Sequence, residues 1–525
     1  MAGDPLARID QARRSGDDAG ALAIAEAAVL GGSRQLALHF RLASLLLRAG
    51  RYRDADSATL RAATLEPAAP ADLVELGKRL AYFNRAGAMR ELAARRLRAP
   101  LLHAGAEADF AALLSMLGEQ SLAYSLIERA ARRGVDPSML YNRSQLHLYA
   151  GRMDAAEAGL RHALRLQPDM AKAHWALSKL PGPRMDPAEV APLERLAAAV
   201  PPGHADAPYL LYALFNRLDA LDRIEPAWDA LARACAAKRG QLAYDPAKSD
   251  ALFEALRRIG PTAAGSSGAA SHAPSKLGGP TPIFIVGMHR SGTTLLERML
   301  GNHPRVAEAG ELYDLPATLR LSLDRHFPGP SDAEVARRMN PLDADALDFD
   351  AIGRQYLQRV GWRAEGREFL VDKLPSNFLN IGVLRRALPQ ARVLHMRRGA
   401  MDTCFSNLKE LFSNACPYSY DQDELAGWYR GYRGLMAHWH AVAPGYVLDV
   451  DYETLARDPA GEGARVLAFC GLDWDPACLD VGGNARSVNT ASSAQVREPI
   501  HTRGIAAWRR YERHLGPLQA QLDAT

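Results

Sequence analysis

Apolar residues recur at helical spacing through about the first 250 residues of the chain. Leu42, Leu45 and Leu46 form one such group, and similar groups follow it. Apolar positions three and four residues apart line one face of an α-helix, whereas strands show alternation of apolar and polar positions, often with valine, isoleucine or threonine. Such alternation is nearly absent here. The pattern therefore predicts an all-helical domain over residues 1–250.

A repeated motif lies within this helical region. Residues 49–52 (Ala-Gly-Arg-Tyr) and residues 150–153 (Ala-Gly-Arg-Met) are each followed by a proline 17 residues after the glycine, from 50 to 67 and from 151 to 168. Glycines that we expect to reverse the chain between paired helices stand at steps of 34, 37, 31 and 33: Gly16, Gly50, Gly87, Gly118 and Gly151. The prolines are expected to end the second helix of a pair.

A period near 34 residues resembles that of tetratricopeptide repeats. The resemblance implies a solenoid of stacked helical pairs with a concave face that binds a partner. An irregular helical bundle is the alternative, because two of the steps depart from 34. Residues 170–250 keep the helical pattern without a clear repeat, and we expect them to cap the array.

The pattern changes after a stretch that has no apolar periodicity. Residues 260–281 are dense in glycine, alanine, serine and proline, which predicts a flexible linker. Short apolar runs then alternate with helical segments, at 283–286, 369–371, 393–396 and 446–450. Strands alternating with helices predict a second, α/β domain over residues 282–525, with a parallel sheet covered on both faces.

Composition narrows the functional classes only a little. The 525 residues suit two to four domains, and a formal net charge of +4 gives no reason to expect a nucleic-acid partner. Five cysteines without a CxxC pair argue against a disulfide framework or a zinc site. There is no signal-peptide pattern and no apolar run long enough for a membrane span, so we expect a soluble, cytoplasmic protein.

The most informative motif is the segment Ile-Phe-Ile-Val-Gly-Met-His-Arg-Ser-Gly-Thr-Thr over residues 283–294. An apolar strand that leads through a glycine-bearing turn into a helix directs backbone N–H groups and the helix dipole at one concavity, which suits a phosphate. The two glycines have the spacing of a nucleotide-triphosphatase P-loop, but Thr293 stands where that loop has lysine. Arg290 instead brings a planar guanidinium into the turn.

The Arg290–Thr294 loop after its strand is similar to the 5′-phosphosulfate loop of sulfotransferases, above all the tyrosylprotein sulfotransferases and their bacterial relatives with tetratricopeptide repeats. The resemblance implies that 3′-phosphoadenosine-5′-phosphosulfate (PAPS) is the sulfuryl donor and that no metal is required. The loop residues implied to bind the phosphosulfate are Arg290, Ser291, Gly292, Thr293 and Thr294.

Further motifs of the family follow in order. Glu311 stands 21 residues after Arg290, at the family's position for the catalytic base, with Glu308 as the competing candidate. Lys373, in Val-Asp-Lys-Leu-Pro, matches the family's lysine that neutralises charge on the bridging oxygen of the donor. Carboxylate and ammonium suit these two roles, which are to abstract a hydroxyl proton and to stabilise developing negative charge.

The family's 3′-phosphate site matches residues 393–406. The resemblance assigns this phosphate to Arg398 and to Ser406, eight residues later, with Arg397 as the alternative arginine. Recognition of a 3′-phosphate is what would distinguish PAPS from ATP. Tyr452, in the segment Asp-Tyr-Glu-Thr-Leu, matches a tyrosine that contacts the nucleotide.

The carboxy-terminal motifs match less closely. Ser492 stands in the place of a serine near the reacting sulfate, within Ser-Ser-Ala-Gln-Val. The sequence departs from the family at Ala507, where relatives have a basic residue before the tryptophan, and Arg503 is the basic residue that could replace it.

These motifs together predict a PAPS-dependent sulfotransferase that transfers the sulfuryl group in line to an acceptor hydroxyl. Peptide tyrosine is the first acceptor that the resemblance suggests, presented by the repeats, which could equally mediate self-association. A P-loop kinase and a repeat adaptor with a degenerate nucleotide fold are the alternatives. Thr293 argues against the kinase, and the complete set of site residues argues against the adaptor.

Overall fold

The computed structural model describes residues 4–180, 186–260, 278–340, 345–412, 414–484, 486–487 and 500–523. Most of the predicted linker and Ser492 lie outside these ranges. None of the described helices has the length and apolar character needed to cross a membrane.

The described residues of the first half are helical throughout, as the apolar pattern predicts. The helices are α1 (Pro5–Arg14), α2 (Asp18–Leu30), α3 (Leu36–Arg48), α4 (Tyr52–Ala63), α5 (Pro70–Tyr82), α6 (Ala86–Arg98), α7 (Ala104–Met116), α8 (Gln120–Ala131), α9 (Pro137–Tyr149), α10 (Met153–Leu166), α11 (Ala171–Ser178), α12 (Val190–Ala199), α13 (Ala207–Ala220), α14 (Ile224–Gly240) and α15 (Pro246–Arg257).

The helices come in pairs that repeat every 31 to 34 residues, since the first helix of successive pairs begins at residues 5, 36, 70, 104 and 137. Four of the predicted glycines turn the chain inside a pair with positive φ: Gly16, Gly50, Gly118 and Gly151. The prediction is wrong for Gly87, which lies in the first turn of α6. Asn84 makes that turn instead, with φ 51°, because asparagine is one of the few side chains that tolerate the left-handed region.

With Asn84 in place of Gly87, the steps between turn residues become 34, 34, 34 and 33. The irregular spacing that favoured a bundle therefore came from the wrong choice of turn residue. Residues 170–250 continue the arrangement more than the sequence suggests, because Asp222 makes the same left-handed turn between α13 and α14. The prolines lie later than predicted, since Pro67 follows the end of α4 by several residues and Pro70 begins α5.

The chain divides into two compact units by packing. One comprises residues 1–146 and 313–328, and the other comprises residues 147–312 and 329–525. The second unit thus includes the helices after residue 147 as well as the sheet. The predicted boundaries at 250 and 282 mark a change of secondary structure, and as domain boundaries they stay predictions.

The core of the first unit is built from small and aliphatic side chains of neighbouring helices, with alanines where helices approach closely. One buried ion-pair group lies among them. Glu107 of α7 is fully buried and pairs with Arg96 of α6 at 3.3 Å and with Arg129 of α8 at 2.5 Å. Two guanidinium groups therefore compensate the charge of a carboxylate that has left water.

The second half contains a five-stranded parallel sheet in the order β2-β3-β1-β4-β5. Its strands and helices are β1 (Thr281–Gly287), α16 (Thr293–Gly301), β2 (Val306–Glu308), α17 (Asp314–Leu323), α18 (Ala333–Arg337), α19 (Phe349–Val360), β3 (Phe369–Asp372), α20 (Ile381–Ala387), β4 (Arg392–Arg397), α21 (Ala400–Leu408), α22 (Gln422–Val442), β5 (Val447–Asp451), α23 (Tyr452–Arg457), α24 (Pro459–Cys470) and α25 (Gly516–Asp523).

The central strands carry continuous apolar runs because both faces of the sheet are covered. Ile283 and Ile285 of β1 contribute to one apolar core together with Leu394 of β4 and Val466 of α24. Phe284, between the two isoleucines, is also fully buried. Four of the five strands match the predicted apolar runs, whereas the three-residue strand β2 was not predicted.

Candidate active site

The turn between β1 and α16 has the geometry that its sequence predicts. Gly292 precedes α16 with φ 103°, and a Cβ atom there would lie 2.6 Å from the ring of Tyr452. Glycine is therefore required both by the backbone conformation and by the close approach of Tyr452. Arg290 also has positive φ, at 66°, which is a strained conformation for a residue with a side chain. The turn leads into the start of α16, where the first N–H groups of a helix lie outside its internal hydrogen bonds and suit an anion.

Helix α21 holds the turn from the neighbouring strand connection. The Nε of Arg290 donates to the hydroxyl of Ser406 at 3.2 Å, and the side-chain amide of Asn407 donates to the carbonyl of His289 at 2.7 Å. The predicted phosphosulfate loop and the predicted 3′-phosphate serine are thus in direct contact, although 116 residues separate Arg290 from Ser406.

The two candidate arginines at the end of β4 have different surroundings. Arg398 donates to the carbonyl of Arg290 at 2.9 Å and to the carbonyl of Gly504, and its guanidinium carbon lies 4.8 Å from the centre of the Tyr452 ring. Arg397 instead donates to the carboxylate of Asp449 at 3.1 Å. Of the two, Arg398 is therefore the one positioned beside the turn between β1 and α16 (residues 288–292), the predicted phosphate-binding turn.

These residues line a cleft of about 380 Å³. Its walls include most of the predicted donor-binding residues, namely Arg290, Gly292, Thr293, Thr294, Arg398, Ser406 and Tyr452. Ser291 faces elsewhere, because its hydroxyl donates to the carbonyl of Met288 at 2.8 Å. Arg503 and Ala507 both line the cleft, and the replacement of the basic residue missing at 507 by Arg503 stays a prediction.

The cleft has an excess of positive charge. Lys409 lines it in addition to the three arginines, and burial lowers the pKa of Lys409, as do Arg290 and Arg398 to a smaller extent. Burial is also the main cause that lowers the pKa of Arg290. The acidic side chain in the lining, Asp402, accepts the backbone N–H of Ala506 at 2.7 Å and so holds the segment that closes the cleft. This distribution suits a ligand that carries several negative charges.

Lys373 and Glu311 form an ion pair at the end of β3. The Nζ of Lys373 lies 2.7 Å from Oε1 of Glu311, and the lysine is completely buried while the glutamate stays partly exposed. The backbone supports the contact, because the N–H of Lys373 donates to the carbonyl of Gly310 at 2.9 Å. The structure thus brings together the predicted base and the predicted charge-neutralising lysine.

Glu308, the competing candidate for the base, is engaged elsewhere. Its carboxylate pairs with the buried Arg298 at 3.2 Å and accepts the side-chain amide of Asn484 at 3.3 Å. Burial raises the pKa of Glu308, whereas Arg298 lowers it. The geometry therefore favours Glu311, which is the glutamate of the two that contacts Lys373.

Two further side chains interact electrostatically with Glu311. Burial lowers the pKa of His289 to about 4, although the carboxylate of Glu311 acts in the opposite direction. Burial raises the pKa of Tyr149 to about 12, and Glu311 adds to this shift. Near neutral pH, His289 is therefore unprotonated and Tyr149 keeps its hydroxyl proton, so neither side chain adds charge beside Glu311.

One group of described residues has the composition of a metal site. The ligand atoms of His395, His440 and Asp449 lie within 4.8 Å of one another. Both imidazole rings contact the same carboxylate oxygen, at 2.7 Å and 2.8 Å, and Arg397 binds the other oxygen at 3.1 Å. The guanidinium of Arg397 therefore compensates the charge of this carboxylate, and it would repel a divalent cation at the same place.

Comparison with known proteins agrees with the geometry. Residues 282–476 match the family model described as the sulfotransferase family. The carboxy-terminal half contains a sulfotransferase-family domain. The matched residues include the turn at Arg290, Glu311, Lys373 and the Arg398–Ser406 segment.

Relatives of this sulfotransferase domain occur among bacterial and animal proteins. An uncharacterized protein of Aquifex aeolicus is 34% identical over 241 residues, which are 45% of this chain and 31% of that protein. Protein-tyrosine sulfotransferase 2 of Gallus gallus is 25% identical over 237 residues, which are 43% of this chain and 62% of the chicken protein. The chain therefore spans between about a third and two thirds of the length of these relatives.

Among solved structures, the sulfotransferase domain of the Synechococcus PCC 7002 olefin synthase is similar to part of this chain. The match covers 46% of this chain and 91% of the chain of that structure. The two are 22% identical, with a TM-score of 0.32.

Sequence reasoning missed two residues of this sulfotransferase domain. Lys409 is the residue that ends α21 and follows Ser406 by three positions, so the helical spacing already indicated that the two side chains lie on the same side. Glu297 follows Thr293 by four positions on α16, so the two residues lie on the same face of that helix. Ser492, the remaining predicted site residue, lies outside the described residues.

Proposed function

We propose that this chain transfers a sulfuryl group from PAPS to the hydroxyl of an acceptor. The observation that carries the proposal is the cleft itself, which joins a phosphate-binding turn to a second cationic subsite at Arg398 and Ser406. The ion pair between the buried Lys373 and the partly exposed Glu311 supplies the remaining chemistry. PAPS has a phosphosulfate at one end and a 3′-phosphate on its ribose, and the two subsites correspond to these two anionic groups.

The side chains of the cleft fit such a donor. Among the described residues, Nε of Arg398 is buried and has no hydrogen-bond partner. A buried donor of this kind is costly unless a ligand satisfies it, and a phosphate oxygen does so with a charge-assisted bond. In the proposed complex, Arg398 and the hydroxyl of Ser406 bind the 3′-phosphate, Tyr452 contacts the nucleotide, and Arg290 with the first N–H groups of α16 binds the phosphosulfate.

The reaction proceeds in line at sulfur. The acceptor oxygen forms a bond to sulfur while the bond between sulfur and the bridging oxygen of the donor breaks, and the acceptor proton passes to Glu311. The negative charge that develops on the bridging oxygen is stabilised by Lys373, whose ammonium lies beside Glu311 before the reaction. The products are the sulfated acceptor and adenosine 3′,5′-bisphosphate.

Peptide tyrosine is the acceptor that we propose first. Several relatives of the catalytic half are protein-tyrosine sulfotransferases, and paired helices are a common scaffold for binding an extended peptide. The alternative role for the helical pairs is self-association. Sugars, lipids and small phenols are the other acceptor classes to be compared with tyrosine.

A P-loop kinase is the competing enzyme, and two observations count against it. Thr293 begins α16 where a kinase of this type needs lysine. ATP lacks a 3′-phosphate, so it would leave the cationic subsite at Arg398 and Ser406 without a ligand group.

The proposal is tested first by calorimetric titration with adenosine 3′,5′-bisphosphate and, separately, with ADP. We expect preferential binding of the bisphosphate. Transfer is then measured with sulfur-labelled PAPS and a panel of tyrosine peptides, simple phenols and saccharides, with Glu311→Gln as the inactive control. Equal affinity for the two nucleotides, together with no labelled product, would overturn the proposal.

A further inference from the structure

Glu297 is a buried acidic side chain that the proposed mechanism does not use. It lies on α16, one turn after the phosphate-binding end of the helix, and is only 4% exposed. Its two carboxylate oxygens have different neighbours. Oε1 accepts the backbone N–H of Gly310 at 2.8 Å, and Oε2 lies 3.8 Å from Nζ of Lys373.

These contacts join three separate elements of the site. Gly310 immediately precedes Glu311 and is held on both sides, because its N–H donates to Glu297 and its carbonyl accepts the N–H of Lys373 at 2.9 Å. The side chain of Lys373 in turn lies between Glu297 and Glu311, at 3.8 Å and 2.7 Å. The carboxylate of Glu297 therefore links the helix of the phosphate-binding turn to the backbone of the predicted base and to the predicted catalytic lysine.

The surroundings of Glu297 fit a role in positioning, because both of its carboxylate oxygens have neighbours within the protein, the N–H of Gly310 and the ammonium of Lys373. Burial raises the pKa of Glu297 to about 7, Lys373 lowers it, and the neighbouring carboxylates of Glu308 and Glu311 raise it further. Two carboxyl groups thus share one buried ammonium. When Lys373 stabilises charge on the donor, Glu297 stays beside it as a fixed partner, whereas Glu311 has accepted a proton.

We propose that Glu297 is a positioning residue of the active site, which fixes the Gly310–Glu311 backbone with one carboxylate oxygen and anchors the Lys373 ammonium with the other. This inference rests on the proposed function, because it concerns the orientation of the base and the lysine of that reaction. Its structural part, the coupling between Glu297 and Lys373, is independent of any activity.

The first test measures this coupling in the absence of substrate. Glu297→Gln, Lys373→Met and the double variant are compared with the wild type by thermal denaturation, in a double-mutant cycle. We expect the loss in Tm of the double variant to be smaller than the sum of the two single losses, because either single change already removes the contact between Glu297 and Lys373 and the second change has no such contact left to remove. Additive losses would overturn the inference whether or not the chain is a sulfotransferase.

The second test separates positioning from general destabilisation. In Glu297→Gln the amide oxygen still accepts the N–H of Gly310, whereas Glu297→Ala loses this bond as well as the charge. We expect kcat to fall about 10-fold in the glutamine variant and about 100-fold in the alanine variant, which is the range produced by small displacements of reacting groups. The Kd for adenosine 3′,5′-bisphosphate should stay within about twofold, because the 3′-phosphate subsite is unchanged.

The outcomes distinguish the inference from the proposed function. A wild-type protein that shows the coupling but no sulfuryl transfer would contradict the proposed function and leave the coupling of Glu297 to Lys373 established. An active wild type whose two variants keep full kcat would contradict the positioning role. A fall in kcat and in bisphosphate affinity by equal factors would also contradict it, since that pattern indicates a distorted fold.

Discussion

Replacement of Arg398 by alanine provides the sharpest test of the donor site. The structure offers a matched control in the adjacent Arg397, which has the same charge but binds Asp449 at 3.1 Å instead of the phosphate-binding turn. Arg398 contacts the carbonyl of Arg290 at 2.9 Å and the face of Tyr452 at 4.8 Å. Arg398→Ala therefore removes the proposed phosphate ligand, and Arg397→Ala removes an equal charge from a neighbouring position.

The expected magnitude follows from the contacts that are lost. A charge-assisted hydrogen bond to a phosphate contributes about 1.5 to 3 kcal/mol, and Arg398 can offer its unpaired Nε as well as a terminal nitrogen. Part of this binding energy is offset in the wild type, because the guanidinium of Arg398 loses contacts with water when the ligand binds, and the alanine variant has no such cost. We expect adenosine 3′,5′-bisphosphate to bind Arg398→Ala about 3 kcal/mol more weakly, which is about a hundredfold increase in Kd.

Calorimetry with two ligands decides whether the lost energy belongs to the 3′-phosphate. Adenosine 5′-monophosphate lacks that group, so its affinity should change much less in Arg398→Ala than the affinity of the bisphosphate. Arg397→Ala should bind both ligands within about threefold of the wild type, which is the scale expected for a screened charge at this distance. The reasoning is refuted if Arg398→Ala weakens both ligands by the same factor, or if Arg397→Ala has the larger effect.

Four further outcomes are expected. Glu311→Gln should reduce kcat by about 10²- to 10⁴-fold, as for loss of a general base, with an unchanged Kd for the bisphosphate in calorimetry. Gly118→Ala should lower the free energy of unfolding by about 1 kcal/mol because φ is 85° there, whereas Gly87→Ala should leave it unchanged or raise it, in urea titrations of the two variants. Glu107→Ala should cost about 3 to 5 kcal/mol in the same assay, since it leaves two arginines without their buried partner, and a loss below about 1 kcal/mol would contradict this. Burial raises the pKa of Glu297 in the folded protein to about 7, so the folded protein binds this proton more tightly than the unfolded chain. Raising the pH from about 4.5 to 7 should therefore lower the Tm of the wild type relative to that of Glu297→Gln, which cannot titrate at this position.

Local chemistry explains which parts of the fold were predictable from the sequence. The strand, turn and helix around Gly292 follow from residue types that leave few alternatives, and the apolar runs of the central strands follow from burial on both faces. The strand Val306–Glu308 could not be recognised because three residues are too few to show a period. Gly87 was misassigned because glycine and asparagine both occupy the left-handed region, and sequence alone does not show which of the two, Gly87 or Asn84, takes that conformation.

The choice between Arg397 and Arg398 shows a different limit. Consecutive residues at the end of a strand point to opposite sides of the sheet, so at most one of the two arginines can face the cleft. The structure distinguishes them by their partners, because Arg397, the last residue of β4, binds Asp449 of the neighbouring strand β5. The spacing in the sequence already favours Arg398 over Arg397 for the proposed 3′-phosphate site, and the structure adds that Arg398 is the one that contacts the turn at Arg290.

The order of the strands explains why motifs far apart in sequence form one site. Lys373 follows β3, Arg290 follows β1 and Arg398 follows β4, and these three strands are consecutive in the sheet. The strands are parallel, so their carboxyl ends meet at one edge, where ligands bind in open α/β folds. Neighbouring strands are about 4.8 Å apart, so the three cations are spread over about 10 Å along this edge. A ligand with negative charge at two separated positions can engage all three, whereas an isolated phosphate can engage only those at one end.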